Sequence, residues 1–242
     1  CEEVGTSRSD GVVDVAMLES AVRNDLNVTA PRAMAVLNPL KLQITNLEAS
    51  EVLIVANHPA DDTQGKRAVQ FGPEVWIDKN DFRQEANKKF KRLVLGKRVR
   101  LRGGYVIEAD RCDVDADDEV TTVYASIVPQ TLGEDPDDGV KAKGVIHWVD
   151  AATGIPAEIR SYDLLFTVED PSKADNMDDV INPASLVVGQ AIVEASLASA
   201  KPEDRFQFER EGYFVADRFD HTGEKPVFNR VIGLRDTWAG ND

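Results

Sequence analysis

Cysteine is nearly absent from this 242-residue chain, which contains only Cys1 and Cys112. Neither has the Cys-x-x-Cys or Cys/His spacing of a structural zinc site, so we predict neither a disulfide framework nor a metal site. Such cysteine usage fits a reducing compartment, and we expect a cytoplasmic protein. The opening residues, CEEVGTSRSDG, include neither an initiator methionine nor the parts of a secretory signal, so we expect a piece of a longer chain.

Long hydrophobic runs are also missing. The longest, such as residues 52–56, fall far below the roughly 20 residues that a transmembrane helix needs, so no membrane partner is expected. A hydrophobic content of 42% is ordinary for a folded chain. The length allows one large domain or two small ones.

Motifs for catalysis are not visible. Hydrolysis or phosphoryl transfer would need a recognisable nucleophile, a poised base or a phosphate-binding loop. His58, His147 and His221 are far apart in the sequence and are predicted to have structural or surface roles. We therefore predict no catalytic residue, no metal ligand and no bound cofactor within this chain.

Positive charge is scarce, since 28 Lys and Arg stand against 43 Asp and Glu, giving a formal net charge of -15. Non-specific duplex binders spread positive charge over a broad face, so DNA is not an expected partner. Eight of the basic residues nevertheless fall in residues 88–102, KKFKRLVLGKRVRLR, with no acidic residue among them. A nucleic-acid contact would have to be local; the alternative is a solvated strand and turn.

Within this basic segment, Arg98, Arg100 and Arg102 alternate with Val99 and Leu101. In a regular strand the three guanidinium groups would project from one face at intervals of about 6.5 to 7 Å. Arginine bonds bases or phosphates bidentately and stacks on base planes, which lysine cannot do. The pattern favours recognition of a defined nucleic-acid target.

The rest of the chain is predicted to be mainly β. One amphipathic helix is predicted over 14–27, with Asp14 as N-cap and Pro31 beyond its end; its apolar positions are Val15, Leu18, Val22 and Leu26. Alternation over 40–45 indicates a strand. Further strands are predicted at 51–56, 74–78, 98–112, 120–128, 143–149, 158–166, 206–216 and 226–234. Short strands separated by Pro-, Asp- and Gly-rich turns favour antiparallel barrels.

Five segments together resemble a known family. They are APRAMAVLNPLKL (30–42), VWIDKNDFRQEANKKFKRLVLGKRVRLR (75–102), KGVIHWV (143–149), FQFEREGYF (206–214) and EKPVFNRVIGLRDTW (224–238). Over essentially the whole length the chain is similar to the C-terminal, anticodon-binding half of bacterial glutaminyl-tRNA synthetases, which are class I aminoacyl-tRNA synthetases.

The resemblance implies two antiparallel β-barrels preceded by a short α-helical connector. Residues 1–30 would end the connector, 46–145 would form the distal barrel, and 31–45 with 146–242 the proximal barrel. The HIGH-like and KMSKS-like motifs that bind ATP in this class are absent. Glutamine tRNA and an N-terminal catalytic domain would be the partners of a monomeric enzyme, with ATP and Mg²⁺ used only by the complete enzyme.

The resemblance also implies a pocket for the central anticodon base, U, formed by Arg32, Gln207 and Arg210. In an unbroken strand Gln207 and Arg210 would face opposite sides. If both line one pocket, we predict a bulge or twist between Phe208 and Gly212.

Other base contacts follow from the same resemblance. Arg92 would contact the final G, Arg100 and Arg102 the first base, and Lys91 another part of the loop. Further candidates for RNA contacts are Arg8, Lys88, Lys89 and Arg235.

Two other functions are compatible with the sequence. The tail of a glutamyl-tRNA synthetase shares the barrel plan, and the third anticodon letter, read near Arg92, would separate G for glutamine from C for glutamate. A β-barrel interaction module without RNA function would suit the net acidity. It predicts that Arg92, Arg100 and Arg102 are dispensable.

Overall fold

Strands dominate the structure, a computed structural model that describes residues 15–168 and 170–235. The helix α1 spans Val15–Thr29, and short 3-10 helices span Asp62–Gln64, Lys79–Asp81, Pro171–Lys173, Met177–Val180 and Ala195–Ser199. The strands are β1 (Arg32–Ala33), β2 (Ala35–Val36), β3 (Pro39–Ile44), β4 (Glu51–Ala56), β5 (Lys66–Phe71), β6 (Glu74–Asp78), β7 (Phe82–Arg83), β8 (Leu93–Val94), β9 (Arg98–Leu101), β10 (Val106–Val114), β11 (Val120–Ile127), β12 (Val145–Ile146), β13 (Trp148–Asp150), β14 (Ile155–Tyr162), β15 (Leu186–Val193), β16 (Arg205–Phe208), β17 (Gly212–Ala216) and β18 (Val227–Ile232).

The predicted N-terminal helix is confirmed as α1, although its proposed N-cap, Asp14, lies outside the described residues. Leu26 is buried against Tyr213 and Ile232, which fixes the last turns of the helix to the strands β17 and β18. Pro31 follows closely and cannot continue the helix. Within the described ranges no helix combines the length and the apolar character needed to cross a membrane.

The C-terminal barrel is a seven-stranded sheet in the order β1-β16-β17-β18-β14-β15-β2. Its two edge strands, β1 and β2, are separated in the chain by Met34 alone, so one continuous segment forms both edges and nearly closes the sheet. Four of its strand pairs are antiparallel and two, β1 with β16 and β14 with β18, are parallel. Its core is rich in phenylalanine, with Phe208 stacked on Phe214 at 4.4 Å between ring centroids.

The N-terminal barrel repeats this plan with the order β12-β9-β10-β11-β3-β6-β13. Here the edge strands β12 and β13 are separated by His147 alone. Four pairs are again antiparallel and two parallel, β3 with β11 and β9 with β12. The predicted class, mainly β with two barrels after a helix, is therefore confirmed, and parallel pairs occur because distant parts of the chain supply the closing strands.

Strand pairing divides the chain differently from the predicted boundary at residue 45. Strand β3 pairs with β6 and β11 in the N-terminal barrel, whereas the family resemblance implied that residues 31–45 belong with the C-terminal one. The reason is burial: Leu40, Leu42 and Ile44 point into the core that contains Val75 and Val123. The chain changes barrel between β2 and β3, and the limits of the domains themselves stay a prediction.

Two predicted strands are in fact hairpins. Residues 98–112 contain β9 and β10, and residues 206–216 contain β16 and β17. In both cases apolar residues continue on either side of a tight turn, so the composition hides the reversal. Gly103, with φ 66°, permits the first turn, and Arg210, with φ 69°, adopts the left-handed conformation in the second.

Candidate nucleic-acid interface

The turn between β16 and β17 decides where two predicted site residues lie. Gln207 pairs with Tyr213, and Phe208 with Gly212, so residues 209–211 form the turn. The expected departure from a regular strand is present as a chain reversal rather than a bulge. Gly212 has φ 152°, and a Cβ there would come within 2.6 Å of the Ile232 carbonyl oxygen, so glycine is required.

Arg210 crosses from this turn to the N-terminal barrel. Its guanidinium forms a two-pronged ion pair with Asp81, with 2.8 Å between Nη2 and Oδ1 and a second, shorter contact from Nη1 to Oδ2. The Asp81 side chain is only 3% exposed and lies in the 3-10 helix after β6. A bidentate pair of this kind holds the arginine in one orientation.

Arg92 shares the same carboxylate. Its Nε lies 3.2 Å from Asp81 Oδ1, and its Nη1 donates to the carbonyl oxygen of Asn80 at 2.9 Å. The Arg92 side chain remains 41% exposed. The Asp81 carboxylate therefore contacts both Arg210, which is predicted to read the central base, and Arg92, which is predicted to read the final base.

A polar cavity of about 600 Å³ opens beside this carboxylate. Its lining residues are Asn38, Asp78, Lys79, Asn80, Asp81, Phe82, Arg83, Arg92, Arg210 and Glu211. Burial raises the pKa of Glu211 to about 7, with Asp78 and Asp81 adding to the effect. Burial lowers the pKa of His147 to about 4, so that imidazole is neutral at pH 7.

Arg32 and Gln207 lie side by side, because β1 pairs with β16 in the register Arg32 to Gln207. The Arg32 guanidinium is buried and donates to the carbonyl oxygens of Ala30 at 2.7 Å and Asn27 at 3.0 Å. Desolvation of this guanidinium lowers its pKa. Arg32 thus fastens the end of α1 to the barrel, while buried Gln207 Oε1 has no hydrogen-bond partner within the described chain.

The alternation predicted for the basic strand is confirmed, since Val99 and Leu101 are fully buried. The arginines that alternate with these residues all have hydrogen-bond or ion-pair partners. Arg98 pairs with Glu108 and Asp138, both at 2.8 Å.

Arg100 and Arg102 differ in their partners. Arg100 donates to the carbonyl oxygens of Thr131 at 2.7 Å and Glu134 at 2.5 Å, which holds the loop after β11. Arg102 follows β9, contacts Glu209 of the C-terminal barrel at 3.0 Å, and has a side chain 45% exposed. Among the three arginines of this row, Arg102 is the most accessible.

The remaining candidates fall into two groups. Lys88, Lys89 and Lys91 are exposed in the loop before β8, and no ion pair to them is found in the part of the chain that is described. Arg235 is exposed and lines a different cavity, beside α1. Arg8 lies outside the described residues.

The loop that carries Lys88, Lys89 and Lys91 packs tightly on the irregular segment just before β12. A Cβ at Gly144 would lie 2.0 Å from the carbonyl oxygen of Lys91, so Gly144→Ala must displace the loop. We expect this change to lower the free energy of unfolding by about 1 to 3 kcal/mol, as for other overpacked sites, in urea denaturation. Gly189→Ala is the control, because a Cβ there meets nothing within 4 Å, and a similar loss in both variants would contradict the packing argument.

Sequence reasoning missed the acidic and carbonyl partners of these arginines. Asp81, Glu209 and the Thr131 carbonyl have no motif around them and lie far from the arginines in the chain. The only local hint is Asp81 in the DKND run after β6. Their role emerges only from the tertiary structure, within the N-terminal barrel for Thr131 and between the two barrels for the contacts Asp81 to Arg210 and Glu209 to Arg102.

Two family models match the chain, over residues 30–128 and 145–217, and both are described as the anticodon-binding domain of tRNA synthetases class I (E and Q). Glutamine–tRNA ligases of Photobacterium profundum and Vibrio parahaemolyticus are each 55% identical to this chain over 99% of the chain's length. That of Escherichia coli O157:H7 is 53% identical over 99%. The chain spans 43% of the length of each of these relatives. It belongs to the anticodon-binding domain family of the class I tRNA synthetases for E and Q.

Proposed function

We propose that this chain reads the anticodon of a glutamine tRNA, as the recognition region of a glutamine–tRNA ligase. Aminoacylation with ATP and Mg²⁺ would take place in an N-terminal catalytic domain outside these residues, in a monomeric cytoplasmic enzyme. The observation that carries the proposal is the pairing of Arg92 and Arg210 on Asp81 at the junction of two barrels. The names and the 53–55% identity of the relatives favour glutamine over glutamate.

Single-stranded RNA is the ligand that this surface suits. Unstacked bases are recognised through hydrogen bonds to their edges and stacking on planar groups, and arginine supplies both. Arg92 and Arg102 are two of the accessible guanidiniums, each held by one carboxylate, so their orientation is set before RNA arrives. The exposed lysines of the 88–91 segment add phosphate contacts nearby.

The central base has a different environment. Gln207 Oε1 is a buried acceptor that lacks a donor in the described structure, and leaving such a group unpaired costs about 1 to 3 kcal/mol. A uracil N–H is a donor that would satisfy it. The Arg32 guanidinium already donates hydrogen bonds to carbonyl oxygens at the end of α1. To contact the base, it would have to give up one of these carbonyl partners.

The acidic remainder of the chain supports specificity. With a net charge of -15, the protein repels nucleic acids except where the basic groups are concentrated. Binding should therefore depend on a few local contacts and show a shallow salt dependence.

Arg102→Ala tests the proposed function. In the full-length protein we expect tRNA binding to weaken by about 1 to 3 kcal/mol, mainly for the correct first anticodon base, as for the loss of a bidentate base contact. The measurement compares glutamine tRNA with first-base variants at fixed salt. Arg111→Ala is the matched control, because Arg111 is exposed, pairs with Asp113 at 2.9 Å and is not among the predicted contacts. Equal loss for every first base would indicate a phosphate contact instead.

A further inference from the structure

Arg83 lines the polar cavity of about 600 Å³ but lies outside the basic segment of the sequence. It ends β7, which pairs in parallel with β8 so that Phe82 is opposite Leu93. Phe82 and Leu93 are buried, whereas Arg83 is exposed, because successive side chains of a strand point to opposite faces. Strand pairing thus fixes Arg83 beside the segment that carries Arg92.

The ring of Phe90 contacts both of these arginines. The guanidinium carbon of Arg83 lies 4.6 Å from the ring centroid, and that of Arg92 lies 5.8 Å from it. A cation at such a distance is attracted by the face of the ring. A planar guanidinium that lies over a ring keeps the N–H donors at its edge available for another ligand. Phe90 therefore holds two guanidiniums close together at the cavity.

Arg83 differs from the other cations that line the cavity. Arg92 and Arg210 both pair with Asp81, and Lys79 pairs with a glutamate outside the cavity. Across residues 15–168 and 170–235, by contrast, neither an ion pair nor a side-chain hydrogen bond of Arg83 is found. The donors of the Arg83 guanidinium are thus the ones in this cavity that an incoming anion can use without displacing a carboxylate.

We propose that Arg83 binds a phosphate of the RNA backbone next to the base that Arg92 reads. This inference rests on the proposed function, within which it adds a contact. Arginine donates two parallel N–H groups to a phosphate, which fixes both distance and direction. Such contacts hold a strand in register without reading its sequence. Because Phe90 contacts both arginines, a phosphate held by Arg83 would lie beside the base held by Arg92.

The charges around the cavity favour an anion at Arg83. Four cationic side chains line the cavity against three carboxylates. The Asp81 carboxylate is shared by two arginines, and both oxygens of Asp78 accept hydrogen bonds from backbone N–H groups. The pKa of Glu211 is raised to about 7, so this carboxyl is only partly ionised at neutral pH. The positive charge of Arg83 is therefore left without a local counter-charge.

Arg83→Ala in the full-length protein tests this contact. We expect the dissociation constant for glutamine tRNA to rise about three- to tenfold at low salt, as for the loss of one partly exposed charged hydrogen-bond pair. The slope of log affinity against log salt concentration should become shallower by about 0.7, the value for one phosphate of a single strand. A tRNA with a changed final anticodon base should lose affinity by the same factor, because Arg92 keeps its partners.

Two further variants separate charge at this position from charge in general. Arg205→Ala is the matched control, because Arg205 is exposed, lines a different cavity beside α1, and has no ion pair within the described ranges. It should leave both the dissociation constant and the salt slope unchanged. Arg83→Lys keeps the positive charge and should keep the wild-type salt slope.

The possible outcomes distinguish this inference from the proposed function. If the wild type discriminates anticodon bases but Arg83→Ala binds with unchanged affinity and salt slope, the phosphate contact is wrong and the function stands. A loss of affinity for only one final base would show that Arg83 contacts the base, which also overturns the proposal. A wild-type protein without any discrimination between anticodons would overturn both.

Discussion

Asp81→Asn is expected to lower the free energy of unfolding by about 2 to 3 kcal/mol. Removing one member of a buried ion pair typically costs about 3 to 5 kcal/mol, because the remaining charge is left uncompensated. The loss should be smaller here, since Arg210 and Arg92 are 23% and 41% exposed and can turn towards water. Urea denaturation at neutral pH measures the change.

If the proposed function holds, the same substitution should weaken RNA recognition at two positions at once. Arg210 and Arg92 come from different barrels and share one carboxylate, so both lose their fixed orientation. We expect weaker discrimination at the central and final anticodon bases. Tight discrimination at both bases in a folded Asp81→Asn protein would show that neither arginine depends on Asp81.

Glu119→Gln is the matched control. Glu119 pairs at 2.5 Å with Lys79, which lies in the same short helix as Asp81, but both side chains of this pair are exposed. Exposed ion pairs contribute about 0 to 1 kcal/mol. Losses of equal size in the two variants would mean that burial of Asp81 is not the cause.

Phe208→Ala should have the largest effect on stability, about 3 to 5 kcal/mol. Phe208 is fully buried, stacked on Phe214 with centroids 4.4 Å apart, and edge-on to Phe228 at 5.2 Å. Its removal leaves a cavity at the centre of the C-terminal barrel, next to the turn that carries Arg210. Urea denaturation followed by far-ultraviolet circular dichroism measures the loss, because the described tryptophans, Trp76 and Trp148, lie in the N-terminal barrel.

Phe219→Ala provides the comparison for the same side-chain truncation. The Phe219 side chain is on the surface, the residue being 87% exposed, so its removal should change the free energy of unfolding by no more than about 0.5 kcal/mol. If Phe208→Ala cost as little as Phe219→Ala, the aromatic cluster would not be the core of this barrel.

Local sequence patterns predicted several elements well. Residues 51–56 and 74–78 are strands with the predicted limits, and the predicted helix over 14–27 corresponds to α1 at Val15–Thr29. Burial alternates along β9 as predicted. In each of these elements one face is more buried than the other, so the spacing of apolar residues in the sequence matches the period of the helix or strand.

Sequence reasoning missed two chain reversals, one at Gly103 and Gly104 despite the two glycines there and one at 208–212. The hairpin at 208–212 depends on Arg210 at positive φ, which a non-glycine residue adopts only when its surroundings stabilise it. The ion pair with Asp81 supplies that stabilisation from 129 residues away. No local pattern could reveal it.

By itself, the sequence determined the mainly β class, the N-terminal helix, the strand with alternating arginines and the family, because these depend on local periodicity and on the identity of extended segments. Only the tertiary structure decided how β1 with β2 and β12 with β13 close the two barrels, which carboxylates hold Arg92, Arg102 and Arg210, and which groups surround His147. Most of these depend on contacts between residues far apart in the chain, which form only once the strands and turns that carry them have been brought together by folding.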